Sequence, residues 1–220
     1  MTALTFTLKK EPAFKINCSA LTPGKLAGKT HKNILEITLN NNIKVSDLFE
    51  VTGDNSEYII FKKCTPQLDH IGHKMLTGNI TIEGDCGDFL GANMRGGTIV
   101  CQGNAGDRVG DQMRRGLILI DGNAGDYVAS RMLAGTIGVY GKLGKHAGFG
   151  MKRGTLLLSQ APNLHATIQD CGTHNLPFLK LLFNAFKLFN SKFSSINSTR
   201  VRRYCGDIAC NGNGEILVLE

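Results

Sequence analysis

Apolar positions in the middle of this chain recur on two periods at once. Over short stretches they alternate, and the alternation itself returns every 19 residues. From Gly116 the chain reads Gly-Leu-Ile-Leu-Ile, then Asp-Gly-Asn-Ala-Gly-Asp, then Tyr-Val-Ala-Ser-Arg-Met. Counted from that glycine, the third column of the repeat holds Ile80, Ile99, Ile118, Ile137 and Leu156. The fifth holds Ile82, Cys101, Ile120, Val139 and Leu158. Alternate residues of a strand face one side, so these two columns predict the inner face of a row of short strands. The column Leu90, Val109, Val128 and Ala147 and the column Met94, Met113, Met132 and Met151 are predicted to point inward too. Thr81, Val100, Leu119 and Gly138 vary more, and are predicted to face outward or against another element.

Glycines keep the same step. Gly78, Gly97, Gly116, Gly135 and Gly154 open the repeats; Gly84, Gly103, Gly122 and Gly141 form a second column, and Gly87, Gly106, Gly125 and Gly144 a third. Columns that stay in phase without insertion mark a solenoid. About four inward apolar groups per coil, at ~1.5–3 kcal/mol each, do not offset the entropy of ordering a whole coil. Stability therefore requires stacking, in which neighbours share one core. The glycines are predicted corners, where φ is positive or adjacent coils approach closely. The fold class that follows is all-β: a right-handed parallel β-helix of 19-residue coils about 4.8 Å apart, with short N-terminal strands and a C-terminal helix.

Shifting the pattern back places Ile59, Phe61, Ile71, Gly72 and Met75 on a degenerate first coil, and Pro162 ends the stack. This divides the chain into an N-terminal region (1–56), the coil domain (57–160) and a C-terminal helix and tail (161–220). Leu4 to Leu8 reads as a strand, and Thr22-Pro23 opens a short helix to Ala27. Leu35 to Leu39 and Ile43 to Val45 read as strands joined by Asn40-Asn41-Asn42. Phe178 to Phe189 is an apolar helix too short to span a bilayer, which either covers a bare face of the coil or docks a partner. Gly214 to Val218 closes the chain as a strand.

Composition adds bounds. With 27 glycines in 220 residues, the repeat accounts for much of the excess over average usage. No apolar run suits a signal peptide or a transmembrane helix, so a cytoplasmic location is expected. Seven cysteines without a CxxC spacing read as reduced thiols. The formal net charge of +7 gains meaning from its placement. Arg95, Arg114, Arg115, Arg131, Lys152 and Arg153 flank the inward methionines, so stacking predicts a basic stripe along one edge. That stripe is either a solvated face or the candidate interface for an acidic partner. Aromatic residues are sparse beside it, which argues against nucleic acid. The acidic column Asp88, Asp107 and Asp126 stacks like charges, and persists if the carboxylates accept turn N–H groups or face cations.

The recurring Gly-Asn-Ala-Gly-Asp resembles a phosphate loop, but a dinucleotide fingerprint joins one strand to one helix once, and this motif returns coil after coil. The GGxGxD turn of calcium-binding β-rolls is absent, and 19 does not divide into hexapeptides. His70, His73 and His174 lack further ligands nearby for zinc. No catalytic, cofactor-binding or metal-binding residue is expected on this chain.

Several blocks resemble a known family. These are Gly78 to Gly154 as a whole, Leu68-Asp69-His70-Ile71-Gly72, Arg131-Met132-Leu133-Ala134-Gly135-Thr136-Ile137, Gly150-Met151-Lys152-Arg153-Gly154-Thr155, and Arg202-Arg203-Tyr204-Cys205-Gly206-Asp207 with Gly214-Glu215-Ile216-Leu217. They are similar to the GXGXG domain, shared with the end of the glutamate synthase large subunit. Within it they resemble the C-type subunit of formylmethanofuran dehydrogenase and of the bacterial formyltransferase/hydrolase complex. Leu4-Thr5-Phe6-Thr7-Leu8 and Leu21-Thr22-Pro23 fit the bacterial branch, although the chain carries fewer coils than that branch leads one to expect. The resemblance implies a structural subunit of a hetero-oligomer in one-carbon metabolism. Methanofuran, tetrahydromethanopterin and any metals would sit on the other subunits, with no membrane and no nucleic acid as partner. A tungsten or molybdenum dehydrogenase subunit and a glutamate-synthase-like accessory domain are the alternatives.

Overall fold

The structure is a computed structural model and describes residues 2–220. The N-terminal region contains β1 (Ala3–Leu8), β2 (Ile16–Asn17), α1 (Pro23–Leu26), α2 (His31–Leu35), α3 (Val45–Leu48) and β3 (Phe49–Thr52). The repeats follow as β4 (Asn55–Cys64), β5 (Leu68–Asp69), β6 (Asn79–Gly84), β7 (Arg95–Cys101), β8 (Arg115–Ile120), β9 (Thr136–Val139) and β10 (Thr155–Leu158). The tail adds β11 (Gln169–Asn175), α4 (Leu179–Phe186), β12 (Arg200–Gly206) and β13 (Gly214–Leu219).

One mostly parallel sheet of 11 strands runs in the order β11-β12-β13-β10-β9-β8-β7-β6-β4-β1-β3. Its register is the sequence repeat: Ile80 pairs with Ile99, Ile99 with Ile118, Ile118 with Ile137 and Leu156 with Ile137. Bonding continues past the strands. The Phe89 N–H donates to Asp107 O (2.8 Å), the Asn93 N–H to Asp111 O (2.7 Å) and the Gly110 N–H to Leu90 O (2.8 Å). Each repeat is thus tied to its neighbours in the turns as well as in the sheet, which satisfies backbone groups that would otherwise be buried without partners.

The predicted inward columns are buried. Ile80, Ile99, Ile118, Ile137 and Leu156 line one cluster with Leu90, Val109, Val128, Ala147 and the five methionines Met75, Met94, Met113, Met132 and Met151. Val100, Leu119 and Leu157 point the other way into a second cluster with Leu179, Phe183, Phe186, Phe193, Val201 and Leu217. α4 and the turn after it therefore cover the outer face of the sheet. Gly138 completes that fit, since a Cβ there would lie 2.9 Å from Leu119 Cδ2 and 2.9 Å from Phe193 Cζ.

Two parallel rungs lie outside the repeat, with β3 at one end and β12 and β11 at the other added antiparallel beyond them. β1 adds parallel to β4, with Leu4 opposite Ile59 and Phe6 opposite Phe61, and Phe6, Phe49 and Phe61 close that end. β13 adds parallel to β10, with Leu156 opposite Ile216. The expected strands at Leu35 to Leu39 and Ile43 to Val45 are a correction. Leu35 ends α2 and Val45 begins α3, leaving only the bridge Thr38–Lys44 around the asparagine turn. Caps decide this locally: Thr30 Oγ1 accepts the Asn33 N–H, and the Lys44 N–H donates to Asp47 Oδ2 (3.0 Å). The apolar helix is also shorter than the pattern suggested, Leu179–Phe186.

Candidate docking edge

The opening glycines Gly78, Gly97, Gly116, Gly135 and Gly154 all have positive φ, whereas the second and third glycine columns serve mostly close approach. Gly84 has φ +121°, whereas Gly87, Gly103, Gly106, Gly122, Gly125, Gly141 and Gly144 do not occupy the left-handed region. At Gly103 a Cβ would sit 2.4 Å from Gly84 O, so any side chain would force two coils apart. The acidic ladder is satisfied by turn N–H groups. Asp88 Oδ1 accepts the Asp107 N–H (2.9 Å), Asp107 Oδ1 the Asp126 N–H (2.7 Å) and Asp126 Oδ1 the Lys145 N–H (2.7 Å). Lys15 lies 3.0 Å from Asp69 and 3.4 Å from Asp88, neutralising one end. A charge-assisted bond of ~1.5–3 kcal/mol per carboxylate outweighs a repulsion of about 1 kcal/mol per adjacent pair.

The six predicted cations are all exposed: Arg95, Arg114, Arg115, Lys152 and Arg153 follow the methionines, and Arg131 precedes Met132. Their backbone stacks through Arg95 N–H to Met75 O, Arg114 N–H to Met94 O and Lys152 N–H to Met132 O, each 2.8 Å. Arg131 is committed differently. Its guanidinium grips the buried Asp111, with Nη2 2.8 Å from Oδ2 and Nε 3.1 Å from Oδ1. Ser130 Oγ donates to the same carboxylate (2.6 Å). Arg131 is thus a structural partner first. The other five form no ion pair among the described residues.

Where the stack ends, the returning tail meets this edge. Asn213 N–H donates to Lys152 O (2.7 Å), so Asn213 takes the next place in the basic column. Lys152 Nζ donates to Cys210 O. Arg114, Leu133, Lys152, Arg153, Asn211 and Asn213 line an open recess of about 630 Å³ with three cations and no carboxylate. Its charge suits anionic groups.

A second surface feature has no counterpart in the sequence reading. His70, Phe89, Arg108, Tyr127 and His146 occupy one column, all at φ between 59° and 61°. Their side chains form a ladder: His70 stacks on Phe89 at 4.7 Å, Arg108 lies 4.8 Å from the Tyr127 ring centroid, and Tyr127 stacks on His146 at 4.8 Å. The signal is present as a 19-residue column, but a mix of residue types hides it. Stacking and cation–π contact along the column offset part of the left-handed backbone cost of ~1–2 kcal/mol per residue.

Four of the seven cysteines, Cys18, Cys64, Cys86 and Cys101, are buried, and all seven are free thiols. Burial pushes the Cys18 and Cys64 thiols far up, and contact with Cys101 together with burial does the same to Cys86, so these three stay protonated. Among the described residues no group of three His, Cys, Asp or Glu side chains is placed to hold a metal ion. No helix among them is long and apolar enough to cross a membrane.

Stacked repeats, an outer face covered by the chain's own tail and an edge of cations without ion-pair partners among the described residues define a mostly β protein. No family model matches the chain, and no curated protein is similar to it in sequence. Among solved structures, the crystal structure of the formyltransferase/hydrolase complex (FhcABCD) from Methylorubrum extorquens in complex with methylofuran contains a chain 30% identical to this one. The match covers 98% of this chain and 99% of that chain, with a TM-score of 0.64. The chain belongs to the family of that component of the complex.

Proposed function

We propose that this chain is the non-catalytic structural subunit, of the C type, in a formyltransferase/hydrolase complex of one-carbon metabolism. Its coil stack is a right-handed parallel β-helix of the GXGXG type. It supports transfer of a formyl group from formyl-tetrahydromethanopterin to methanofuran, and hydrolysis of the product to formate, on companion subunits. The observation that carries this reading is the likeness at 30% identity over 98% of the chain to a component of such a complex. Arg95, Arg114, Arg115, Lys152 and Arg153 form the docking edge for acidic groups of a partner, and the recess beside Asn211 and Asn213 belongs to it.

Co-expression with and without the companion subunits, followed by native mass spectrometry, tests the reading. A complex containing this chain, with formyl transfer that requires the other subunits, is the expected result. A particle of this chain alone, indifferent to the companions, overturns it. Arg114→Glu with Arg115→Glu tests the edge separately: assembly weakens, most at low salt, if the edge docks acidic groups, and unchanged assembly removes that role.

A further inference from the structure

α4 and the turn after it carry two apolar faces, of which the fold uses one. Leu179, Phe183 and Phe186 lie against the outer face of the sheet and are buried. Phe178, Leu181 and Leu188, three and then seven residues apart, are 48%, 75% and 84% exposed, with exposed Ala185 between them. Lys180, Asn184 and Lys187 occupy the remaining side, also exposed. A helix lying on a domain surface normally shows one apolar stripe and a polar remainder. A second stripe of large side chains in water marks an interaction surface rather than a scattered exposed residue.

The chemistry of the partner follows from the charge around this ridge. Between Asp170 and Asp207 the chain has no carboxylate side chain, and its cations are Lys180, Lys187, Lys192, Arg200, Arg202 and Arg203. Four of these are engaged internally: Arg200 with Glu220, Arg202 with Asp170, Arg203 with Glu215, and Lys192 with Asp121 O and the Tyr140 ring. Lys180 and Lys187 are left to flank the apolar ridge, and neither forms an ion pair among the described residues.

Resting on the subunit reading above, we infer that the ridge Phe178–Leu181–Leu188 seats in an apolar groove with an acidic rim on a companion chain of the complex. The leucines and Phe178 supply buried contact, and Lys180 and Lys187 meet the rim. The ridge shares no residue with the basic edge of the coils, so separate variants test the two contacts.

The test uses the full chain with its companion subunits. Leu181→Asp combined with Leu188→Asp alters only exposed side chains, and Phe14→Asp, at a position 42% exposed in the loop between β1 and β2, is the matched control. Native mass spectrometry across a dilution series is expected to show assembly at least tenfold weaker for the double variant and unchanged for the control. Lys180→Glu with Lys187→Glu is expected to give an intermediate loss that grows at low salt. Wild type and double variant assembling alike would overturn the ridge and leave the subunit reading standing. A wild-type chain that joins no companion would overturn both. Binding of the free chain to phosphatidylglycerol vesicles that the double variant loses, with assembly intact, would reassign the ridge to a lipid surface. A concentration-dependent dimer of the free chain that the double variant abolishes, again with assembly intact, would reassign it to a second copy.

Discussion

The two faces of the parallel sheet are buried by different means. The inner face is covered by the repeat itself, because each coil returns an aliphatic side chain (Ile71, Leu90, Val109, Val128 or Ala147) and a methionine to the same place under its own strand. The outer face is covered by a segment distant in sequence, whose Phe183, Phe186 and Phe193 settle on Val100, Leu119 and Leu157. The first arrangement is local and repeated, so loss at one coil is shared by its neighbours. The second is a single long-range dock, made once between segments far apart in the chain.

Paired truncations probe this difference most strongly. Phe193→Ala should cost about 3–5 kcal/mol and Ile118→Ala about 2–5 kcal/mol. The sharper readout is hydrogen exchange. Phe193→Ala should release protection mainly around α4, whereas Ile118→Ala should lower it through the stack. Uniform loss of protection in both variants would mean that the two faces form one cooperative unit. A smaller effect is expected at Gly138→Ala, which introduces a methyl against Leu119 and Phe193: about 1–3 kcal/mol, recovered when Phe193 is also reduced to Leu. Failure of that rescue in a thermal melt would show that the glycine serves the inner coil rather than the outer dock.

Arg131→Ala separates the basic edge from the core beneath it. It leaves the buried Asp111 with Ser130 and Gln112 and without its guanidinium, at a cost of about 1–3 kcal/mol. Arg114→Ala, whose guanidinium has no such partner, should be neutral in the same denaturation experiment. The smallest effect concerns acid. Burial pushes the Asp207 carboxyl up, but Thr167 and the N–H groups of Gly150 and Ala209 outweigh this and hold it below its ordinary value. Because the folded form has the lower pKa, its contribution is full above about pH 4 and is lost as pH falls further. Asp207→Asn should flatten the acid limb of the stability curve, and an unchanged limb would assign that dependence to other carboxylates.

Legibility in the sequence follows periodicity. The columns through Ile118, Val128 and Met132 can be read as inward because each residue type is repeated at the same step. The acidic ladder can be read as conditional, and the N–H groups that satisfy it are those of the following coil. The column through Phe89, Arg108 and Tyr127 keeps the period but not the chemistry, and its stacking emerges only in three dimensions. Arg131 looks like its neighbours on the stripe, because nothing local announces that Asp111 is buried one coil earlier. The asparagine turn at Asn40 to Asn42 is visible, but the helices on either side are set by caps at Thr30 and Asp47 that the β-branched pattern obscures.

By itself, the sequence determined the stack: its period, its inner face, its close corners and the side on which cations gather. These follow from contacts between residues one repeat apart, which a periodic chain specifies many times over. The tertiary structure alone decided how the ends close, with β1 and β13 added as outer rungs, and how the tail lies across Gly138. It also decided that Asn213 completes the recess beside Lys152, and that one apolar side of α4 remains outside. Each of these contacts is made once, between segments far apart in the chain, and a pattern of repeats carries no record of where a non-repeating segment comes to rest.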